Sequence, residues 1–414
     1  MKQRILENID NPNYLEKLYR ENKQNFSKSF EEISDDNNSD LIRFWKIRLA
    51  QETDTEFKGF VKLDLLVVII LALVTGILAK LPNIFSQIEI EFFSTRDMAI
   101  IVFNGLILFT FWQNKIFDKK KILTYGFILL ILLLFVNLLP NQKSDSIILA
   151  LIHTPLFLWC LFGLTFISFD YKNNARRIEF IKFNGELLIM TGLLLLAGGL
   201  LTGITLGLFS VINMNIEKFY TENIALIGGV ASPIAAYYLI GLYPNITSKI
   251  APVIARVFTP FVLVTLVIYL ISMIFSNSKI LEDRNLLLVF NVLLLAVMAI
   301  IVFSVSELDK SKVKNINVLI LFALAVLAII INSIALVAII TRFTSGITPN
   351  RTVVLVSNIL IFVNLILIAK NLFKSYFKIN QLDSIESTVA KYLTIYFVYT
   401  IFVIFIFPFV FGFI

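Results

Sequence analysis

The sequence predicts an all-α fold: a polytopic transmembrane helical bundle of about eleven spans, with a small cytoplasmic helical hairpin at the N-terminus. Hydrophobic residues make up 58% of the chain and charged residues 16%, whereas soluble proteins hold roughly half apolar and about a quarter charged residues. Apolar runs recur along most of the sequence, and Lys and Arg gather in alternate loops between them. A water-soluble core cannot absorb this much apolar surface, so most of the chain belongs in a membrane.

The apolar runs approach the length of about 20 residues that an α-helix needs to cross roughly 30 Å of hydrocarbon. Eleven runs can be read, at residues 63–79, 98–112, 122–139, 147–169, 187–208, 224–242, 250–274, 286–305, 318–340, 353–369 and 392–413. The second run is the shortest. Its loss would reverse the orientation of every later span.

The distribution of basic residues sets the predicted orientation. With the N-terminus in the cytoplasm, the inner segments contain 21 Lys and Arg residues and the outer loops contain 8. Positive charge collects on the cytoplasmic side of membrane proteins. We therefore predict a multi-pass protein of a bacterial cytoplasmic (inner) membrane, with a cytoplasmic region at residues 1–60, a transmembrane domain at residues 61–414 and the C-terminus outside.

The N-terminal region is polar and carries two helix signals. Pro12 follows a capping Asp-Asn pair, as at the first turn of a helix. After an acidic and Asn-rich stretch, Leu41, Trp45 and Leu49 recur every four residues and form one apolar stripe. We expect a hairpin that rests on membrane lipids through this stripe, or that docks a cytoplasmic protein.

Composition removes several classes of site. The chain has one Cys, Cys160, and one His, His153, whereas zinc sites, iron–sulfur clusters and Cys-His pairs need more of these residues. No Walker loop, H-E-x-x-H or G-x-S-x-G motif occurs. We therefore expect no catalytic residues, no metal and no cofactor. We also expect no binding to nucleic acid, because the basic residues are scattered through short loops.

Ionisable residues within or beside the spans are the first candidates for function, because polar groups in hydrocarbon cost several kcal/mol unless they find a partner. Arg256 lies between Pro252 and Pro260 in the seventh run, and Glu186 lies at the inner start of the fifth. The two can meet at similar depth as an ion pair. The alternative is that Arg256 extends to the inner interface.

A second group falls on the predicted outer side. His153 lies in the fourth run, and Glu222, Arg342 and Arg351 lie in outer segments. These residues could form a proton-responsive or anion-binding cluster; the alternatives are local packing of the His and loop capping near Arg351. For Asn104, Asn332, Ser357, Asn358 and Asn364, within other spans, we expect interhelical hydrogen bonding.

Glycines in the fifth run favour close helix packing. Gly199, Gly203 and Gly207 recur at four-residue spacing, a pattern that lets another helix backbone approach. Gly228 and Gly229 in the sixth run could supply the matching face within the chain. The same pattern could also form an oligomer interface.

Several short segments resemble a known family. They are residues 15–19 (LEKLY), 44–49 (FWKIRL), 177–180 (RIEF), 185–188 (GELL) and 347–351 (ITPNR). They are similar to the bacterial polytopic membrane family catalogued as domain of unknown function 4153, and the resemblance covers most of the chain. It implies a multi-span inner-membrane protein, supplies no activity, and draws attention to Glu186, Asn350 and Arg351.

Three functions fit these features. A transporter or lipid- or solute-handling permease is favoured by the number of spans and by the Gly and Pro residues of the fifth to seventh runs; the lack of an evident internal repeat counts against it. A non-enzymatic sensor or assembly partner would dock a cytoplasmic protein through its N-terminal helices. A membrane enzyme acting on a lipid-linked substrate is disfavoured by the scarcity of catalytic side chains.

Overall fold

The computed structural model describes residues 2–9, 11–21, 26, 29–30, 41–42, 44–45, 49, 62–211, 214–243, 252, 259–264, 266–268, 270–271, 284–307, 316–343, 346–377 and 382–414. The chain divides into two compact units, Met1–Phe60 and Val61–Ile414. Every regular element among the described residues is a helix, which confirms the all-α prediction.

The helices are numbered in chain order. They are α1 Lys2–Leu6, α2 Pro12–Glu21, α3 Lys62–Ala79, α4 Leu81–Ile84, α5 Ile90–Arg96, α6 Met98–Gln113, α7 Lys119–Leu138, α8 Asp145–Phe166, α9 Asn174–Val211, α10 Glu217–Tyr220, a π-helical turn Thr221–Ala225, α11 Leu226–Leu242, α12 Thr259–Ile268, α13 Arg284–Ser306, α14 Ile316–Phe343, α15 Pro349–Phe377, α16 Leu382–Phe405 and α17 Phe407–Val410.

Seven helical segments in the described part of the chain are long and apolar enough to cross a membrane. They comprise α7, α8, α9, the continuous α10–α11 segment, α14, α15 and α16. The count rises to eight if the bent pair of α5 and α6 forms one span. The remaining predicted runs coincide with the shorter apolar helices Leu63–Ala79, Thr259–Ile268 and Leu293–Ser306. The structure therefore supports a membrane-embedded bundle, and the count of eleven crossings stays a prediction.

One end of the bundle is defined by contacts around Asp64, and we call it the Asp64 end. The indole of Trp112, at the end of α6, donates to the Asp64 carboxylate at the start of α3 over 2.8 Å. Asn114, just after α6, donates to the carbonyl of Phe166 at the end of α8 over 3.0 Å. Because α3 begins where α6 and α8 end, α3 runs antiparallel to both of them.

The opposite end is defined by contacts around Asp145, and we call it the Asp145 end. The Asn350 amide, in the first turn of α15, donates to the Asp145 carboxylate at the start of α8. The Lys80 ammonium, just after α3, donates to the Asn223 side chain at the start of the α11 segment. Helix α3 therefore begins at the Asp64 end, whereas α6, α8, the α11 segment and α15 begin at the Asp145 end.

The second predicted span has a polar bend at its start. Helix α5 meets α6 at 43°, with Asp97 at the break. The buried Arg96 guanidinium donates to the carbonyls of Val136, of Leu139 at 3.0 Å and of Pro140 at 3.1 Å. The carbonyls at a helix C-terminus have no intrahelical donor, so Arg96 supplies donors at the end of α7.

The largest apolar core lies in the second half of the chain. It is built by α13, α14, α15 and α16, with further residues from α9 and α12. Ile301, Leu324 and Leu365 are fully buried there. Large apolar side chains elsewhere are exposed along α3, α7 and α9, as expected of surfaces that face hydrocarbon.

The N-terminal unit has an apolar core of its own. Trp45 is 2% exposed and packs on the rings of Tyr19, Phe26 and Phe30, with centroids 5.0 to 6.2 Å apart. Leu41 and Leu49 are partly buried against the same cluster. Within the predicted stripe, Trp45 is thus covered by aromatic residues that lie earlier in the chain, whereas Leu41 and Leu49 keep part of their surface exposed. Docking of lipid or of a protein through the stripe stays a prediction.

We predict that Trp45→Ala unfolds the N-terminal unit, because removing a buried Trp costs about 3–5 kcal/mol and a unit of this size is only marginally stable. Limited proteolysis of the purified Trp45→Ala variant should cleave the chain within residues 1–60 and leave the transmembrane unit intact. Phe44→Ala is the matched control, since Phe44 is 57% exposed. Unchanged protease resistance of Trp45→Ala would contradict the packing described.

We also predict that Arg96→Lys lowers thermal stability, because an ammonium cannot reproduce three guanidinium hydrogen bonds to the end of α7. The expected loss is about 1–3 kcal/mol. Arg176→Lys serves as control, since Arg176 is 52% exposed and 4.0 Å from Glu179. Equal unfolding temperatures of the two variants in detergent would argue against the Arg96 contact.

Candidate functional site

Glu186 lies in α9 beside another carboxylate. It is half-buried, and its carboxylate interacts electrostatically with Lys182 of the same helix and, repulsively, with Glu307 just after α13. Gly185 allows this approach, because a Cβ at that position would collide with the ring of Phe303 on α13. The predicted partner Arg256 lies outside the described residues, so its pairing with Glu186 stays a prediction.

His153 is packed within α8. Its Nδ1 lies 2.7 Å from the carbonyl oxygen of Leu149 in the preceding turn. Its ring meets the ring of Tyr399 edge to face, with centroids 5.5 Å apart. The Tyr399 hydroxyl in turn donates to the carbonyl of Val353 at 3.1 Å. These contacts are those expected of local packing, and the proton-responsive role of His153 stays a prediction.

Arg351 forms hydrogen bonds with backbone groups at the end of α14 and just before α15. Its guanidinium donates to the carbonyl of Arg342 at 2.9 Å and to that of Gly346 at 2.7 Å. The hydroxyl of Thr348 accepts from the Arg351 backbone N–H at 3.4 Å, which is the geometry of a helix cap. The Arg351 guanidinium thus donates to backbone carbonyls, and Asn350 beside it reaches Asp145.

Glu222 lies in a different neighbourhood. It is half-buried in the π-helical turn that precedes α11, next to the Asn223 that Lys80 contacts. Asn350 and Arg351 lie in the first turn of α15, and His153 lies in the third turn of α8. Among the described residues, no hydrogen bond or ring contact joins Glu222 to His153, Asn350 or Arg351, and a shared outer site stays a prediction.

The glycine faces are open. An added Cβ at Gly199, Gly203 or Gly207 would meet no heavy atom within 4 Å, and the same holds for Gly228 and Gly229. Only 6% of the most apolar stretch of α9 is buried in the protein, compared with 44% of the corresponding stretch of α14. The two glycine faces therefore do not pack on each other in the described part of the chain.

Amide side chains form a second polar feature in the middle of the large apolar core. The Asn332 amide on α14 donates to the backbone carbonyl of Asn358 on α15 at 3.1 Å. The Asn358 amide donates to Asn291 Oδ1 on α13 at 2.7 Å. Farther along α15, the Asn364 amide donates to the hydroxyl of Tyr396 on α16 at 3.1 Å. We call Asn291, Asn332, Asn358 and Asn364 the amide seam.

Two side-chain oxygens of the seam accept no hydrogen bond from the described residues. Asn332 is 0% exposed and Asn364 is 1% exposed. Within the described part of the chain, the side-chain Oδ1 of each has no hydrogen-bond partner. An unsatisfied buried acceptor costs about 1–3 kcal/mol, so these two oxygens need a functional or structural explanation.

Polar contacts continue from the seam toward the Asp64 end. The Tyr392 hydroxyl of α16 donates to the carbonyl of Leu360 at 2.8 Å. The Asn371 amide donates to the Thr388 hydroxyl at 2.7 Å, between α15 and α16.

The sequence predicts interhelical hydrogen bonding for Asn332, Asn358 and Asn364, and their N–H groups do bond across helices. The same reasoning misses Asn291 and Tyr396, although an amide within an apolar run is itself a detectable signal.

No protein-family model matches the chain, and no match was found among curated proteins or solved structures. The resemblance drawn from the short sequence segments stays a prediction.

We predict that Glu186→Gln raises the unfolding temperature by a few degrees, because it removes a half-buried charge that repels the Glu307 carboxylate. Differential scanning fluorimetry in detergent measures this shift. Glu179→Gln removes the same charge from an exposed position of α9 and should change little. A lower unfolding temperature for Glu186→Gln would instead show that the fold needs this charge, as an ion pair with Arg256 requires.

Proposed function

We propose that this chain is a bacterial inner-membrane permease for a polar solute or a lipid head group. It crosses the bilayer eleven times, with a cytoplasmic N-terminus and an outer C-terminus. Three observations support this topology: the opposite directions of α3 and of α6, α8 and α15 between the Asp64 and Asp145 ends, the shorter apolar helices at the remaining predicted runs and the bias of Lys and Arg in the sequence.

The amide seam is the observation that carries the permease proposal. Hydrocarbon offers amides no hydrogen bonds, so polar side chains at this depth mark pathways or binding sites. Asn332 and Asn358 lie near the middle of their helices and join three helices, α13 to α15. Two of the seam oxygens are free to accept hydrogen bonds within the described residues. A polar ligand between these helices would satisfy them.

Interrupted helices agree with the same function. Transporters commonly use broken helices near the substrate path. Here the α5–α6 pair bends by 43° at Asp97, and a π-helical turn precedes α11, which contains Pro233. Single π-helical turns next to α-helices occur frequently at functional sites.

A sensor or assembly partner is the second candidate. It is favoured by the N-terminal unit, whose own aromatic core makes it a folded module. Because Trp45 is inside that core, a partner would have to bind other residues, such as the exposed Phe44. The resemblance to the uncharacterised family above fits both candidates.

The permease proposal predicts that a polar compound stays bound after mild purification and that Asn358→Leu loses it, because this change breaks the link between α13 and α15. Mass spectrometry of extracts from equal amounts of folded protein measures retention. Asn104→Leu is the control, since Asn104 bonds Tyr125 outside the seam. If the wild-type protein, Asn358→Leu and Asn104→Leu all retain the same compound, the seam is not its binding site. If the protein instead co-purifies with a protein partner that is lost when residues 1–60 are deleted, the second candidate is favoured.

A further inference from the structure

We infer that the amide seam binds a small monovalent metal cation, with Asn332 Oδ1 as one of its oxygen ligands. This inference deepens the permease proposal and rests on the same seam. It depends on three features of the seam: which hydrogen-bonding groups are already used, which charges are absent, and how completely the open oxygen is sealed from water.

The hydrogen bonds that the amides already make indicate whether the ligand is a cation or an anion. Asn332 and Asn364 each direct a side-chain N–H to a partner on a neighbouring helix, and Asn358 directs N–H groups to Asn291 and to Val354. The oxygens of Asn332 and Asn364 remain open among the described residues. A buried oxygen that accepts no hydrogen bond attracts a cation or a hydrogen-bond donor, and it repels an anion.

The charge of the ligand follows from the sequence of the three helices. Helices α13, α14 and α15, which meet at Asn332 and Asn358, contain no Asp or Glu. Helix α16 contains Asp383 and Glu386, and Glu386 is ten residues, about 15 Å, from Tyr396. Divalent Ca²⁺ and Mg²⁺ require carboxylates in addition to neutral oxygens. Neutral amide and carbonyl oxygens alone match a hard cation of single charge, for which the cost of dehydration is lower.

Burial favours a bare cation. The Asn332 side chain is 0% exposed, so its oxygen is out of contact with bulk water in this conformation. A ligand that reaches it must first lose its hydration shell, which selects for small ions whose shell can be replaced by protein oxygens. Asn364, six residues beyond Asn358 on α15 and therefore about 9 Å farther along the axis, provides a second open oxygen along the same seam.

Two amides outside the seam have oxygens that do accept a hydrogen bond. The oxygen of Asn104 accepts from the Tyr125 hydroxyl, and that of Asn184 accepts from the Trp159 indole at 2.9 Å. Asn332 and Asn364 differ from these two, since each donates one hydrogen bond across helices while its buried oxygen accepts none from the described residues.

Thermal unfolding of the full-length protein in detergent tests the inference. The salts are LiCl, NaCl, KCl and choline chloride at equal ionic strength. One of the inorganic cations should raise the unfolding temperature saturably, by about 3 °C at roughly a hundredfold excess over Kd, whereas choline should not. The shift should vanish in Asn332→Leu, persist in Asn104→Leu, and be kept or enlarged in Asn332→Asp, which supplies an oxygen with a full charge.

Equal unfolding temperatures of the wild-type protein in all four salts would overturn the inference, and so would a shift of the same size in Asn332→Leu. Water at the seam predicts the first of these outcomes. Direct binding of radioactive sodium or rubidium to the wild-type protein decides the question if Asn332→Leu does not fold: saturable binding supports a cation site, and its absence refutes one. A cation shift in a protein that retains no organic compound would support this inference while removing the permease evidence.

Discussion

The fold depends on one constraint: hydrocarbon cannot form hydrogen bonds, so each polar group within it needs a partner in the protein. An α-helix pairs its backbone N–H and C=O groups within the segment, which is why apolar runs of this length fold as helices. At α7 the constraint reaches the helix end, where Arg96 supplies donors to terminal carbonyls. The cost of burying this guanidinium is offset by hydrogen bonds to three carbonyls and by the Phe92 ring, 4.2 Å from it.

The amide seam is where this constraint is only half met. Its N–H groups hold α13, α14, α15 and α16 together, and two of its oxygens remain without a partner in the described residues. A fold selected for packing alone would place Leu or Ala at these positions, as it does along most of the surrounding core. The retained amides fit a protein that gives up some stability to keep a polar position in the membrane interior.

Two surfaces contrast with this packed region. Helix α9 has 38 residues, of which the apolar portion is nearly bare of protein contacts, and its glycines face open space. The N-terminal unit is the reverse, because its few large apolar residues form a core of their own. The polar and charged residues of interest are therefore distributed: Glu186 beside Glu307, Asn350 and Arg351 at the Asp145 end, and the seam between them in the bundle interior.

The sequence by itself determined the fold class, because burying apolar surface in lipid depends on composition and run length and hardly on which helix meets which. It also marked the individual polar residues, since their cost in hydrocarbon is local. Only the tertiary structure decided their partners: Glu186 faces Glu307, Trp45 is covered by Phe26 and Phe30, and the Asn332 and Asn358 amides join three helices. Such partners lie tens of residues apart, and the helical period that reveals a face carries no information about the neighbour that covers it.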